Sequence, residues 1–440
     1  MDRPLGRARS LTLTSLAHFT NDGTVFFVPV IAAIVAAHRG VGPLVVTLLF
    51  LVFYSSSTVL SLFVGRLSDR LARPGSLIGL GLAILSAGLF GFYLALSYAS
   101  GASLTAGLLA SAFLTGAGSS FYHPLGASLL QASFRDRSMG VALGVNGALG
   151  SLGRALYPSL YFVASAVIAG YGSVAVFAAW GVIAGALIWI ASREAVGVRR
   201  VPPRVVDAGA SPAVSAPSGP SSADSAPSAP GSAPAGGRPR ASDTITPGIV
   251  ALTVVAFLRS SATQGIASWM PTYLATQKGL GVSGTLGLTV TTMYAAAIIG
   301  QPTFGLLVDR LDKRRVLAIS SLGAAVTTVG YLHLGSGLAG VAWLFAFGFF
   351  VFSGFPLLLS MVGDYVPRGA TSLANALVWG LGSTAGGAIG PLVTGALIGG
   401  HYGRLGFAFT VLAGAAVVSA VATVFVPRAA RPARMRAFGG

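Results

Sequence analysis

The chain has 440 residues, 54% of them hydrophobic and 9% charged, with a formal net charge of +17 and no cysteine. A soluble protein carries about 25% charged residues, so this composition argues against a soluble enzyme or a nucleic-acid binder, and it excludes disulfide and thiol chemistry. Apolar runs longer than about 18 residues recur along the chain, so the surplus of arginine reads as membrane orientation.

Spanning helices are predicted at about 12–37, 42–65, 75–98, 103–131, 138–165, 172–192, 247–277, 284–309, 314–335, 338–363, 368–399 and 404–426. The expected fold is an all-α membrane protein of twelve helices in two pseudo-symmetric six-helix bundles, residues 1–192 and 247–426. The basic start, Met1 to Ser10, reads as the flank of a retained first span. Only Arg39, Lys278 and Arg404 fall on the predicted outer side, and the other loop arginines fall inside. That asymmetry places both termini in the cytoplasm.

The first span contains His18-Phe-Thr-Asn21-Asp22. The spacing i, i+3, i+4 sets His18, Asn21 and Asp22 on one helix face. Asp22 lies about ten residues into the span, or about 15 Å of rise, near the midplane. A carboxylate so deep marks a proton or ion path by default, and its bland alternative is a permanent pair that fixes helix packing. Asp22 is the expected proton-coupling residue, aided by His18 and His123.

The second span ends in Gly65-Arg-Leu-Ser-Asp69-Arg70-Leu-Ala-Arg73, and the eighth ends in Gly305-Leu-Leu-Val-Asp309-Arg310. So short and charged a turn lies at the water interface. Its two copies imply duplicated halves, the usual build of a transporter. Asp69, Arg70, Arg73, Asp309 and Arg310 are expected gate residues. Asp69→Asn should shift the population toward the inward-facing state, against a bland role in topology alone.

In the fourth span, Tyr122-His123-Pro124 sets an imidazole beside a proline that can kink the helix. The fifth span carries Arg154 and the seventh Arg259. Two deep guanidinium groups against one carboxylate leave the cavity about +1, which suits an anionic substrate group gripped by arginine. On the bland alternative one arginine neutralises Asp22 and the other snorkels or bonds backbone carbonyls. Arg154 and Arg259 are the substrate-facing candidates, with Asn21, Tyr122, Gln264, Trp269, Asn375 and Trp379 as possible lining. For Trp269, Asn375 and Trp379, as for Tyr157, Tyr161 and Tyr273, interfacial or core packing is the better single reading. Glycine-rich spans 5 and 11 should line the contact between halves.

Residues 193–246 are almost all Ala, Ser, Pro and Gly from Asp207 to Asp243 and are expected to be a disordered tether, and 427–440 form a basic tail.

The paired G-x-L-x-D-R turns resemble the signature loops of the major facilitator superfamily. His18-Phe-Thr-Asn21-Asp22 with Tyr122-His123-Pro124 resembles that superfamily's fosmidomycin-resistance branch. The resemblance implies proton antiport and export of a drug or metabolite, here a small anionic or amphipathic compound. The R-x-x-Q-G motif of many drug exporters is absent from the fourth span, and the Gly-Pro run falls in the eleventh span, at Gly390-Pro391, instead of the fifth. The alternatives are a proton symporter importing a carboxylate or sugar, and a membrane sensor on a transporter scaffold. The expected partners are a small-molecule substrate, protons and the bilayer of the plasma membrane, for a monomer with no cofactor, no metal and no nucleic acid. No nucleophile–base pair or metal-ligand cluster stands out, so an enzyme is not expected.

Overall fold

The computed structural model describes residues 6–71, 73–134, 139–192, 245–366, 374 and 376–428. The tether predicted at 193–246 falls almost wholly outside these residues, as does the tail from 429 onward. Every regular element among the described residues is helical. The N-terminal half consists of α1 (Arg7–His38), α2 (Pro43–Leu71), α3 (Pro74–Tyr98), α4 (Gly101–Ser119), α5 (Tyr122–Ser133), α6 (Met139–Ser165) and α7 (Gly172–Ser192). The C-terminal half consists of α8 (Pro247–Thr276), α9 (Gly284–Arg310), α10 (Lys313–Leu332), α11 (Leu338–Val351), α12 (Gly354–Val362), a π-helical stretch Ala376–Ala385, α13 (Gly386–Ile398) and α14 (Leu405–Ala422). Ten of these stretches are long and apolar enough to cross a membrane. Met139–Ser165 and the broken run Leu338–Val362 complete the twelve expected passes.

The fourth pass of each half is broken at the same place, and proline explains both breaks. Pro124 has no N–H for the Ser120 carbonyl, and the chain leaves the helix between Ser119 and Tyr122. In the second half the sequence puts Pro356 four residues after Phe352, and the helix breaks between Val351 and Gly354. The Phe352 carbonyl left over accepts a hydrogen bond from Gln301 Nε2 at 3.4 Å.

Two of the three cations predicted outside, Arg39 and Lys278, turn out to be helix caps. The Arg39 guanidinium, on the α1–α2 turn, donates to the carbonyls of Leu96 and, at 2.6 Å, Ala99 at the end of α3. Lys278, on the α8–α9 turn, donates to the carbonyls of Tyr331 (3.4 Å), Leu332 (3.2 Å) and Leu334 at the end of α10. Both satisfy C-terminal carbonyls that a helix cannot pair by itself.

The two halves meet at the end of the bundle opposite the chain termini. There Tyr402 donates to the Val41 carbonyl at 2.6 Å, and Ser159 and Thr291 bond at 2.7 Å. Nearer mid-depth, Tyr54 bonds Ser268 at 2.9 Å and accepts from Gln264 Nε2 at 3.1 Å. Ring contacts between the halves, Phe50 with Trp269 and Phe26 with Tyr294, also lie at the closed end and at mid-depth. A Cβ placed on Gly144 or Gly147 of α6, or on Gly380 of the π-helical stretch, would meet open space. The structure is therefore closed at one end and open at the end that carries the termini. The expectation that spans 5 and 11 line the contact between halves holds at the closed end, where α6 packs on α9 and α13 on α2.

Candidate functional site

α1 and α6 lie unusually close because glycine removes the side chains between them. A Cβ on Gly153 would fall 2.1 Å from the Phe19 carbonyl, and one on Gly150 would fall 2.4 Å from the His18 ring. This approach of backbones, the habit of small residues between spanning helices, brings Arg154 to Asp22. Arg154 Nη2 donates to Asp22 Oδ2 at 2.9 Å. The aspartate is 4% exposed and the arginine 13%.

Asp22 has three further neighbours. Asn21 Nδ2 donates to Oδ1 at 3.1 Å. His18 Nε2 lies 3.3 Å from Oδ2, one helical turn back, and His123 Nε2 lies 3.5 Å from Oδ1. His123 is held in the first turn of α5, just beyond the α4–α5 break. Its side chain is 63% exposed, although it reaches a carboxylate that is almost fully enclosed. It therefore stands on the wall of the opening between the halves, in contact with both the aspartate and the open side.

His18 is clamped from its far side. Its Nδ1 lies 2.9 Å from the Asn146 carbonyl oxygen and 3.0 Å from Asn146 Oδ1. Tyr122 donates its hydroxyl to Asn146 Oδ1 at 2.9 Å and stacks on the His18 ring at 4.7 Å. A backbone carbonyl can only accept, so Nδ1 must carry the hydrogen. Nε2 then faces a carboxylate oxygen, and the contact is attractive only with a proton between them. The geometry thus leaves room for one proton between His18 Nε2 and Asp22 Oδ2.

His18, Asp22 and His123 present donor atoms within 4.8 Å of one another. The Arg154 guanidinium already occupies Asp22 Oδ2, so a fixed positive charge stands where a divalent cation would bind. The arrangement suits a proton better than a metal ion.

Arg259 is placed elsewhere. Buried at 4% exposure, it reaches the break in the tenth pass and donates from Nη2 to Ser320 Oγ (2.9 Å) and to the carbonyls of Phe350 and Val351 (3.0 Å each). Gly354 leaves it room, since a Cβ there would lie 2.3 Å from Nη1. The structure thus divides the two arginines as the bland alternative did: one pairs with Asp22, and the other bonds carbonyls.

The remaining candidates scatter. Gln264 sits in the Tyr54 contact between halves. Trp269 is fully buried and donates to the Pro391 carbonyl at 3.0 Å, a packing contact between α8 and α13. Trp379 is 40% exposed on the π-helical stretch. Of the gate residues, Arg73 and Arg310 are exposed. The side chains of Asp69, Arg70, Asp309 and Asn375 lie outside the described residues. Sequence reasoning missed Asn146, Phe26, Tyr54 and Phe352. Asn146 was within reach, because 146, 150 and 154 recur at i, i+4, i+8 on one face of the span that holds Arg154. The other three gave no signal, being aromatic residues among many.

Two six-helix halves around an enclosed ion-pair cluster, open at one end, define a multi-pass membrane transporter. The chain belongs to the Major Facilitator Superfamily, whose sequence model matches residues 12–288 and 253–438. It is similar to a candidate metabolite transport protein of Haemophilus influenzae, 28% identical over 191 residues, which are 42% of this chain and 44% of that protein. It is also similar to an uncharacterized protein of Archaeoglobus fulgidus, 33% identical over 134 residues, which are 30% of this chain and 60% of that one. The chain thus matches under two thirds of the length of either relative. A bacterial homologue of the human lysosomal transporter Spinster, inward-facing and unoccupied, superposes with a TM-score of 0.66 at 16% identity, covering 96% of this chain and 95% of that one. The nucleoside transporter NupG superposes with a TM-score of 0.68 at 10% identity, covering 96% and 99%. Identities this low show the fold alone, and with the family they make the chain a transporter rather than an enzyme.

Proposed function

We propose that this chain is a proton-coupled secondary transporter for a small anionic or amphipathic compound, working by alternating access as a monomer in the plasma membrane, with both termini cytoplasmic and no cofactor. The observation that carries the reading is the Asp22 cluster. It joins a buried carboxylate, a guanidinium and a histidine with one shared-proton position to a second histidine on the wall of the opening. Intramembrane groups of this kind mark proton relays. Proton exchange and export of a drug, as in the fosmidomycin-resistance branch, rest on the motif resemblance. The open end is the end with the termini, so on this topology the state is inward-facing.

The test is a pH-sensing dye trapped in proteoliposomes that hold the full chain, with carboxylates and phosphonates added one at a time. A solute-dependent pH change that Asp22→Asn abolishes is the expected result. Solute uptake without any pH change in the wild type would make the chain a uniporter.

A further inference from the structure

We infer that the proton and an organic monoanion occupy this site together and cross together, the anion being one with a flat apolar body. The inference rests on the reading of the chain as a proton-coupled carrier of anions, and it reverses the sign of coupling that the motif resemblance implies.

The charges at the site are few enough to follow one by one. Among the described residues Asp22 is the only carboxylate in the cluster, and Asp312 and Asp364 lie at the terminal-end turns of the other half. Arg154 and Asp22 cancel. His18 is neutral, or positive when the position between Nε2 and Asp22 Oδ2 is filled. The other groups facing the cluster are His123 from α5, Tyr122 from α5, Asn146 from α6, Asn21 from α1, and Tyr294 from α9. With His123 neutral, the site alternates between zero and one positive charge.

The place for an anion is marked by atoms that lack partners. Arg154 Nε is buried with no hydrogen-bond partner among the described residues, and so is the Tyr294 hydroxyl. A buried donor left without an acceptor is costly, and more so when it carries charge. The Arg154 guanidinium lies 4.2 Å from the centre of the Phe26 ring and 5.4 Å from that of Phe352, one ring from each half. Tyr294 packs on both rings, at 5.1 and 5.4 Å between centres. An anionic oxygen on Nε would satisfy the orphaned donor, and a flat body would lie against the aromatic walls, where offset or edge-on ring contacts are favoured.

Such an anion restores neutrality only when the proton is present. Opposite charges about 6 Å apart at an effective dielectric of about 20 strengthen each other's binding by about a hundredfold. If the anion instead pulled Arg154 away from Asp22, the freed carboxylate would gain a proton, and the sign would be the same. Exchange of an anion for a proton would work against this electrostatic coupling.

The probe is benzenesulfonate, a permanent anion that carries no proton of its own. Proteoliposomes with the full-length chain and a trapped pH dye receive an inward gradient of labelled benzenesulfonate at equal pH on both sides, with the membrane potential clamped. The expected result is uptake with acidification of the lumen, near one proton per sulfonate, and weaker uptake of methanesulfonate. Asp22→Asn should move no protons, and acidification that survives in it overturns the placing of the proton at this site. Uptake with alkalinisation of the lumen overturns co-transport and leaves the anion reading standing. Uptake without pH change removes proton coupling altogether. Uptake of benzyltrimethylammonium in place of either sulfonate removes the anion reading, and this inference with it. Absence of uptake of all three probes, in a preparation whose thermal unfolding is cooperative, does the same.

Discussion

The two halves share a plan and differ in what they place at its centre. Each opens with a long helix, caps its third pass with a cation from its first turn, and breaks its fourth pass near a proline. In the N-terminal half the broken pass brings His123 to Asp22, and every group around the carboxylate can accept, donate or carry a proton. In the C-terminal half the broken pass is gripped by Arg259 and Gln301, whose partners are a hydroxyl and backbone carbonyls that do not titrate. One half gathers groups that can carry a proton, and the other holds fixed the aromatic wall beside them. Arg154, over Phe352, is where the two meet. Duplication supplied the frame, and the residues at the two breaks divided the labour.

If the division is right, Asp22→Asn should have the largest effect of any single change. Proton movement should vanish, and Arg154 should be left buried without its counter-charge at a cost of about 3–5 kcal/mol. Proton flux and thermal unfolding in detergent would show both. Next in size is Arg259→Gln, which takes the Arg259 donor from the Val351 carbonyl and leaves the Phe350 carbonyl with the Ser320 hydroxyl, and should cost about 1–3 kcal/mol. Its signature is lower thermal stability with the proton-to-solute ratio unchanged. An altered ratio would put Arg259 in the proton path and break the comparison.

A smaller and more local effect is expected at the closed end. A Cβ on Gly395 would lie 2.0 Å from Thr47 Oγ1, so Gly395→Val should wedge α13 from α2 and favour the state open on that side. Because the chain has no cysteine, a single Gly144→Cys reports on the terminal-end opening. Its labelling by a water-soluble maleimide should fall several-fold when Gly395→Val is added.

The smallest effect belongs to the turn before α10. Asp312 accepts from the backbone N–H groups of Arg314 (2.9 Å) and Arg315 (3.3 Å) and so caps that helix. Slight burial pushes its carboxyl up, but the Arg315 amide and the Arg314 charge and amide outweigh this and hold it below the usual carboxylate range. Its contribution is therefore present above the ordinary carboxylate pKa and is lost as pH falls through the lowered value. Asp312→Ala should cost about 1 kcal/mol at neutral pH and nothing in strong acid. An equal loss of melting temperature at both pH values would show that the cap is not the cause.

Much of this molecule was legible before it was folded. The twelve passes follow from hydropathy, because a backbone in lipid must satisfy its own hydrogen bonds and a helix is the local way to do so. The paired turns after the second and eighth passes revealed the duplication. Helical spacing put His18, Asn21 and Asp22 on one face, and the cost of a buried charge marked that face as a candidate site. Periodicity can say which residues share a face, but not what the face meets.

Which arginine pairs with Asp22 was decided by the tertiary structure alone. Arg154 and Arg259 are alike in depth and type, and the choice fell to Gly150 and Gly153, which let α6 approach α1. The clamp of Arg259 on the broken pass, the hold of Asn146 on His18, and the closed and open ends of the bundle have the same origin. Each is a contact between residues far apart in the chain, fixed by how closely two helices pack, and no local pattern in the sequence encodes that distance.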